Sequence, residues 1–436
     1  MNSQNVISPA SAKAAARRGA TETLRVSVVQ DGARLHYALP LALARVGILE
    51  KVFTEFFVTP ASLEGAIARA VRLIKPALGS RMAERKCSEL APSSVRRNWR
   101  LALRQMLARG RFSSEQEFFR WSSEMVGRWV QREGLGDANA LMGFILNIDP
   151  GLCAWAREQG LLVVGDQMGA PIKVFMQHCL EESARWPGWE PMGTEQEMRS
   201  RYAIAIDVEE RTWPHLDHVT CASAYVKRGL ESQGVDGGRI TQISYPIDAA
   251  AYAVPDRRGR FGPVTVGCVG RVSLLKGAPY FFEVARRLNS AAVKFVFVGP
   301  VALQDSVVGQ QKGNVELIGP VPRSQVASWL QKFDLFFFPS VSEGSSGAVM
   351  EAMCAALPVV VSTNSGSIAR DGLEGFSAPY DDIDALAAHV QRLVSDENLR
   401  LEMGRAARLR AEAMNLDEYS RRLSELLARL RAAPKN

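Results

Sequence analysis

Short apolar runs alternate with helix-length segments through the second half of the chain, and this alternation constrains the fold more than any other feature. Five runs are expected to be buried strands: 264–269, 293–298, 315–318, 335–338 and 359–361. Helical patterns separate them at 280–288, 324–332, 348–356 and 384–394. Apolar strands that alternate with helices form parallel sheets with helices on both faces. The second half therefore predicts a Rossmann-like domain.

The first half shows the same alternation less regularly, and a turn-rich segment separates the two series. Apolar runs predict strands at 24–29, 141–146, 161–164 and 218–221, and helical patterns predict helices at 37–46 and 151–159. The separating segment, 244–262, holds Pro246, Pro255 and Gly262. A chain of 436 residues is long enough for two domains. We therefore expect an α/β protein in which two Rossmann-like domains face a central cleft.

The expected organisation has four parts. They are a polar tail at 1–22, an N-terminal domain at 23–247, a C-terminal domain at 248–414, and a helix with a short tail at 415–436. The last helix is predicted at 417–430 from its amphipathic pattern. We expect this helix to return to the N-terminal domain.

Composition and spacing exclude several classes of protein. No apolar run is long enough to span a membrane, and the start of the chain lacks the apolar core of a secretory signal, so we expect a cytoplasmic protein. The cysteines form no CxxC pair, and Cys221, Cys268 and Cys354 are expected to be buried free thiols. The histidines show no metal-ligand spacing, and no metal is expected. Asp382 and Asp384 form a DxD pattern, but they precede a helix, and capping explains them.

Positive charge is concentrated in one stretch of the first half. The formal net charge is +7, and residues 69–111 contain twelve Lys and Arg against Glu84 and Glu89. Apolar residues recur through this stretch, so its helices are expected to be amphipathic. Two interpretations remain open, namely solvated surface helices or contact with an anionic membrane surface. No recognition motif accompanies the charge, so nucleic acid is not expected as a partner.

The first candidate site follows the strand at 264–269. Its sequence is Gly-Arg-Val-Ser-Leu-Leu-Lys-Gly, residues 270–277. A loop that follows a strand of a parallel sheet lies at the edge where such folds bind ligands. Arg271 and Lys276 suit a diphosphate, because a guanidinium binds it through a fork of donors and an ammonium binds it as a point charge. Taken alone, the pattern also fits two solvated side chains.

The second candidate site follows the strand at 335–338 and opens a helix. Four residues offer free backbone amides, which form an anion site at a helix N-terminus: Gly344, Ser345, Ser346 and Gly347. Glu343 precedes the helix, and Glu351 lies inside it, about 12 Å further along. Because glycosidase carboxylates lie only about 5–10 Å apart, we expect these two to hold separate parts of one elongated ligand. Individually, each glutamate also fits a structural role at the helix.

Together the two sites resemble the donor-site signature of retaining glycosyltransferases of family 4, which have the two-domain GT-B architecture. The matching patterns are G-R-x4-K-G at 270–277 and P-S-x2-E-G-x6-E-A-M at 339–353. A Gly-x-Val-Pro segment at 319–322 and the proline-led strand at 357–362 also fit. The resemblance covers about 264–394 and is looser in the first half.

The resemblance implies a role for each residue of the donor site. Arg271 and Lys276 would bind the donor diphosphate and offset the charge on the leaving group without a metal. Glu343 would contact the transferred sugar, Glu351 the ribose hydroxyls and Val321 the base. The amides of the second site would hold phosphates or sugar hydroxyls.

The resemblance also implies the reaction and its partners. The donor would be a UDP- or GDP-sugar that acts as co-substrate, with no further cofactor, and a hexose would be transferred with retention of anomeric configuration through front-face attack. The acceptor would be a carbohydrate or lipid-linked carbohydrate in bacterial surface polysaccharide or glycolipid synthesis. With the basic stretch at 69–111, this favours a cytoplasmic protein that is peripheral at the inner membrane face.

The sequence departs from the family pattern in two places. Ser345 stands where the family commonly has an aromatic residue after Glu-Gly, and the region 146–149 lacks the histidine that members often have there. Gly32, His36 and Asp166 are candidates for the acceptor side, although His36 also fits a partly buried structural histidine. Two alternatives remain open: a sugar-nucleotide epimerase and a non-catalytic nucleotide-sugar-binding protein of the same fold. No G-x-G-x-x-G follows a strand, which argues against a dinucleotide oxidoreductase.

Overall fold

Strands and helices alternate through the chain, as the apolar pattern predicts. The computed structural model describes residues 23–59, 62–311 and 313–433, so the tail predicted at 1–22 lies outside the described residues. Two compact units are present. The first holds the described residues up to Gly165, Arg211–His218 and the segment from Ser420; the second holds Asp166–Glu210 and Val219–Tyr419. The domain boundaries placed after 247 and 414 stay a prediction.

The first sheet has seven strands. They are β1 (Val26–Val29), β2 (Leu49–Thr54), β3 (Val95–Arg97), β4 (Ala140–Phe144), β5 (Leu162–Gln167), β6 (His218–Cys221) and β7 (Ile240–Gln242). Their order is β3-β2-β1-β4-β5-β6-β7. The strand β1 pairs in parallel with both β2 and β4, so the direction of winding changes between β1 and β4.

The second sheet has six strands. They are β8 (Val264–Val269), β9 (Val293–Val298), β10 (Val315–Gly319), β11 (Leu335–Phe338), β12 (Val359–Ser362) and β13 (Gly375–Ala378). Their order is β10-β9-β8-β11-β12-β13, with parallel pairing throughout. The winding changes direction between β8 and β11, and ligands of such sheets bind at the carboxyl ends of the strands at this switch point.

Helices connect the strands. Nine begin before β7 in the described residues: α1 (Ala38–Arg45), α2 (Leu63–Ile74), α3 (Pro76–Ala83), α4 (Trp99–Ala108), α5 (Glu115–Glu133), α6 (Pro150–Glu158), α7 (Ile172–Arg185), α8 (Glu195–Thr212) and α9 (Ala224–Ser232). Seven follow: α10 (Ala278–Arg287), α11 (Asp305–Gln310), α12 (Val326–Leu330), α13 (Gly347–Cys354), α14 (Ile383–Ser395), α15 (Glu397–Glu412) and α16 (Leu416–Ala432). The part of α16 from Ser420 onward belongs to the first unit, which confirms the predicted return of the last helix.

The core of the second sheet contains many buried aromatic side chains. Phe281 of α10 stacks on Phe337 of β11 with ring centroids 5.6 Å apart, and both side chains are fully buried. The predicted burial of Cys221, Cys268 and Cys354 as free thiols is confirmed. This buried layer packs against β8 and β11, from whose carboxyl ends both candidate loops leave the sheet.

Candidate functional site

The two candidate loops lie side by side at the switch point of the second sheet. The first loop, 270–277, joins β8 to α10, and the second, 339–346, joins β11 to α13. The amide of Val341 donates to the carbonyl of Leu275 at 3.0 Å, and the hydroxyl of Ser340 donates to the same carbonyl at 3.0 Å. The loops that sequence analysis treated separately therefore form one hydrogen-bonded structure.

Glycine is required where these loops approach each other most closely. Gly277 has φ +74°, a left-handed conformation that side chains disfavour, and a β-carbon there would overlap the carbonyl of Pro339 in the second loop. A β-carbon on Gly299 would likewise overlap the carbonyl of Gly270. The glycines thus allow the backbone packing that brings the charged side chains together.

Lys276 and Glu343 form an ion pair that joins the two loops. The ammonium lies 5.8 Å from the centre of the Phe338 ring, so its surroundings are partly apolar. Burial lowers the pKa of Lys276 to about 8. The structure thus brings together one predicted diphosphate ligand and the predicted sugar-contacting carboxylate.

Arg271 lies at the start of the first loop and is largely exposed, with 65% of its side-chain surface accessible. Its guanidinium is 3.9 Å from the carboxylate of Glu190, whose other oxygen accepts a hydrogen bond from the amide of Leu274 at 2.8 Å. Burial raises the pKa of Glu190. Sequence analysis missed Glu190. Its carboxylate accepts a hydrogen bond from the backbone of the first loop and lies close to the guanidinium of Arg271.

The helix α13 begins at the second loop, as predicted. The side chain of Ser346 accepts a hydrogen bond from the amide of Val349 at 3.3 Å and is buried, so its hydroxyl caps the helix. Gly347 is exposed, and the position of an added β-carbon would be 4.0 Å from the Glu351 carboxylate. Open space therefore adjoins the amino end of this eight-residue helix, where the helix dipole favours an anion.

Glu351 is nearly fully buried on α13 and is held by two side chains that sequence analysis missed. Arg323, which follows the predicted base-contacting Val321, forms an ion pair with its carboxylate. The hydroxyl of Tyr252 makes a hydrogen bond to the same carboxylate, and burial raises the pKa of Glu351. Glu343 and Glu351 therefore have different cationic partners, and the expectation that they hold separate parts of a ligand stays a prediction.

The second loop is also tied to the segments around α7 and α9. The hydroxyl of Ser223 donates to the carbonyl of Gly344 at 2.6 Å, and that of Tyr225 donates to Ser342 at 2.9 Å. A β-carbon on Gly344 would overlap the carbonyl oxygen of Met168. The backbone next to Glu343 is thus packed against backbone and hydroxyl groups from two other parts of the same unit.

Gly344→Ala is expected to lower the free energy of unfolding by about 1–3 kcal/mol, because the new methyl group meets the backbone of Met168 and Gly169, which directly follow β5. Urea denaturation followed by circular dichroism measures the change. Gly309→Ala is the matched control, since that glycine lies in α11 with no atom within 4 Å of the added carbon. An equal response of the two variants would show that the close packing at Gly344 is not rigid.

The three acceptor-side candidates have different environments. The amide of Gly32 donates to Glu55 at 3.1 Å. His36 is exposed, so the interpretation as a partly buried structural histidine is wrong; it lies in a left-handed turn with φ +50°, where its side chain points away from the core packing. Asp166 is buried, and its carboxylate accepts hydrogen bonds from Thr220 and Tyr245. Burial raises the pKa of Asp166 to about 6. Their roles toward an acceptor stay predictions.

A carboxyl pair that sequence analysis missed lies at the carboxyl ends of the neighbouring strands β1 and β2 of the first sheet. Asp31 follows β1 and makes a hydrogen bond to Glu55, which follows β2 and pairs with Arg85. Burial, and next the charge of Glu55, raise the pKa of Asp31 to about 8. Both acids lie just after the end of a strand, and this position in the sequence could have identified them as candidate site residues.

The structure bears on the expectations about metal binding, helix capping and membrane-spanning helices. Within the described ranges, no group of three or more His, Cys, Asp and Glu side chains is arranged to hold a metal ion. Asp382 accepts a hydrogen bond from the amide of Ala385 at 2.9 Å, which confirms that it caps α14. Of the helices in the described part of the chain, none has the length and apolarity needed to cross a membrane.

Comparison with solved structures defines the fold class. Sucrose-phosphate synthase from Thermosynechococcus elongatus superposes with a TM-score of 0.60 at 17% identity, covering 94% of this chain and 100% of that one. Anabaena HepE in complex with UDP and glucose superposes with a TM-score of 0.56 at 13% identity, covering 93% and 100%. These matches confirm the predicted two-domain GT-B fold.

Comparison with known sequences points to a class of enzyme. Residues 263–396 match the family model of Glycosyl transferases group 1, and this segment contains both candidate loops. The amylovoran biosynthesis glycosyltransferase AmsK of Erwinia amylovora is 28% identical over 217 residues, 46% of this chain and 53% of that protein. The putative colanic acid biosynthesis glycosyltransferase WcaL of Salmonella typhimurium is 26% identical over 215 residues, 45% and 53%. The chain spans about half the length of these curated relatives, and the matches support a glycosyltransferase.

Proposed function

We propose that the protein is a retaining glycosyltransferase that moves a hexose from a UDP- or GDP-sugar to a carbohydrate acceptor. The observation that carries the proposal is the ion pair between Lys276 and Glu343, which joins two loops at the switch point of the second sheet. It lies within the segment that matches group 1 glycosyltransferases. The polysaccharide-related names of AmsK and WcaL support an acceptor in bacterial surface polysaccharide or glycolipid synthesis.

The diphosphate of the donor binds to the first loop and to the amino end of α13. Arg271 is exposed and supplies a fork of donors, while Lys276 supplies a point charge in partly apolar surroundings. The free amides near Gly347 add partial positive charge. Together these groups offset the negative charge that grows on the departing phosphate, so the proposed reaction needs no metal or further cofactor.

The sugar and the ribose bind to separate carboxylates. Glu343 is next to Lys276 and therefore lies where the sugar joins the diphosphate, so it accepts hydrogen bonds from the sugar hydroxyls. Glu351, held by Arg323 and Tyr252, accepts hydrogen bonds from the two ribose hydroxyls. The base lies against Val321, which immediately precedes the Pro322–Arg323 turn.

The acceptor hydroxyl attacks the anomeric carbon from the face that the phosphate leaves. The bond from the carbon to the phosphate oxygen breaks, a bond to the acceptor oxygen forms, and the acceptor proton passes to the departing phosphate. Configuration is retained because both bonds lie on one face. In this scheme Glu343 positions the sugar, and its pairing with Lys276 keeps its negative charge from acting as a nucleophile. We place the reaction in the cytoplasm, on a free or lipid-linked carbohydrate.

Titration with nucleotides tests the proposal. UDP, GDP and ADP are added separately to the full chain in the presence of a chelator, and heat release is measured. One of them is expected to bind, and the matching sugar nucleotide is then expected to be cleaved with retention, which proton NMR of the released or transferred sugar reports. Failure of all three to bind would overturn the donor site. Conversion of the sugar nucleotide to an epimer without acceptor would instead identify an epimerase.

A further inference from the structure

A groove between α4 and α5 combines apolar walls with unpaired positive charge. It belongs to the first unit and has a volume of about 410 Å3. The residues that line it include Arg100, Leu103, Arg104, Leu107, Arg111 and Trp121. A buried hydrogen bond of 2.6 Å from Gln105 of α4 to Ser122 of α5 fixes the two helices that form its walls. The groove is therefore a built feature of the fold.

The outer face of α4 is apolar where it borders the groove. Four large side chains are exposed at helical spacing along this face: Trp99, Leu103, Met106 and Leu107, with 42%, 42%, 53% and 67% of their surface accessible. The opposite face, with Leu101, Gln105 and Ala108, is buried. A helix that is buried on one face normally presents polar residues on the other, so these exposed side chains indicate a contact surface.

Positive charge surrounds this apolar face without counter-ions. Arg100, Arg104 and Arg111 form no ion pair within the described ranges of the chain, whereas neighbouring Arg109 is paired with Glu115 at 2.7 Å. Three guanidinium groups at the rim of an apolar groove complement a ligand that is both anionic and apolar. A soluble phosphate would match the arginines but would leave the apolar face exposed to water.

We propose that this groove docks on a bilayer that contains anionic phospholipid. A lipid phosphate lies among Arg100, Arg104 and Arg111, and the adjoining acyl region contacts Leu103, Leu107 and Trp121. In this proposal, α4 and the turn that contains Arg111 are the parts of the basic stretch at 69–111 that contact the membrane. It goes beyond the proposed function, because docking needs neither donor nor acceptor, and its failure leaves the nucleotide titration unaffected.

Vesicle flotation of the full chain tests the proposal. Vesicles of phosphatidylcholine with phosphatidylglycerol are expected to carry the protein, and vesicles of phosphatidylcholine alone are not. The triple variant Arg100→Gln/Arg104→Gln/Arg111→Gln is expected to lower partitioning by about 100-fold, from the typical contribution of a basic residue at an anionic surface. Leu103→Ser/Leu107→Ser is expected to lower it as well, which a purely electrostatic attraction would not predict.

The control separates the groove from general positive charge. Arg128→Gln/Arg199→Gln/Arg286→Gln removes the same charge from helix surfaces where each arginine is already paired with a glutamate. Equal losses in the control and groove variants would overturn the proposal, as would equal binding to both kinds of vesicle or to neither. Displacement of the protein from vesicles by inorganic phosphate alone would show a soluble-anion site instead. All of these substitutions are at exposed positions, and thermal melting checks that each variant is folded.

Discussion

Replacing Arg271 and Lys276 together by alanine is expected to weaken the binding of a nucleoside diphosphate by about 1,000-fold. Each change removes a charge-assisted interaction of about 2 kcal/mol, and about 1.4 kcal/mol corresponds to a tenfold change in affinity. Without Lys276, the carboxylate of Glu343 also stands beside the phosphates with no cation between them. Isothermal titration with UDP, the nucleotide bound to the structurally similar HepE, measures the effect first.

The matched control for this variant removes the same charge from the other side of the sheet. Arg286 lies near the end of α10 and Lys294 near the start of β9, so both are at the amino edge of the strands, and each is paired with a glutamate. Arg286→Ala/Lys294→Ala is expected to bind UDP within about twofold of the unaltered protein, because surface ion pairs contribute little. If both double variants lost affinity equally, the nucleotide would be attracted by the overall positive charge of the protein and not by a specific site in the first loop.

The pH dependence of binding isolates the contribution of Lys276. Its pKa in the free protein is lowered to about 8, so the ammonium is mostly present at pH 7 and mostly lost at pH 9. Since the diphosphate binds the charged form, affinity is expected to fall by about tenfold between these values. Lys276→Arg keeps its charge at both and is expected to show little change. A pH-independent affinity in the unaltered protein would remove Lys276 from the diphosphate site.

Three of the four strands that sequence analysis missed lie at sheet edges, and the fourth, β2, lies inside the first sheet. The runs that predict β8, β9, β11 and β12 are mostly apolar, because neighbouring strands and helices bury most of their side chains. The strands β3, β7 and β13 lie at sheet edges, where less burial is required, and their sequences are short and partly polar. These three edge strands therefore carry too little apolar signal to be recognised from one sequence.

In the candidate site, the residues that sequence analysis predicted lie within short motifs, whereas the residues that it missed lie outside these motifs. Arg271, Lys276, Glu343 and Glu351 lie in local patterns, and the predicted loops do follow β8 and β11. The side chains that hold these residues come from elsewhere: Glu190, Ser223, Tyr252 and Arg323. Only the folded chain brings them near, because their spacing from the motifs is set by the path of the backbone. The two sequence motifs therefore predict the candidate ligand-binding side chains, whereas the residues that contact those motifs are recognised only in the folded structure.

Glu343→Gln is expected to lower kcat for sugar transfer by at least about 100-fold while leaving the fold intact. The carboxylate lies beside Lys276, where a sugar would join the diphosphate, and removal of a preorganised charged group at a reacting centre typically costs about 10²–10³ in rate. The stability should be kept, because the Glu343 side chain is partly exposed and its amide bonds to Asn364 through the backbone. Release of UDP from UDP-glucose, measured at saturating donor, reports the rate, and thermal melting reports the fold.

The distinction between a positioning role and a simple charge role rests on two further measurements. The Gln variant is expected to bind UDP at least as tightly as the unaltered protein, since it removes a negative charge from the phosphate site while Lys276 remains; a loss of both affinity and rate would show that Glu343 organises the loop instead. Glu316→Gln is the control and is expected to keep full activity, because Glu316 is an exposed residue of the edge strand β10 and pairs with Lys294. Full activity in Glu343→Gln would exclude the carboxylate from the mechanism, and the ion pair with Lys276 would then have only a structural function.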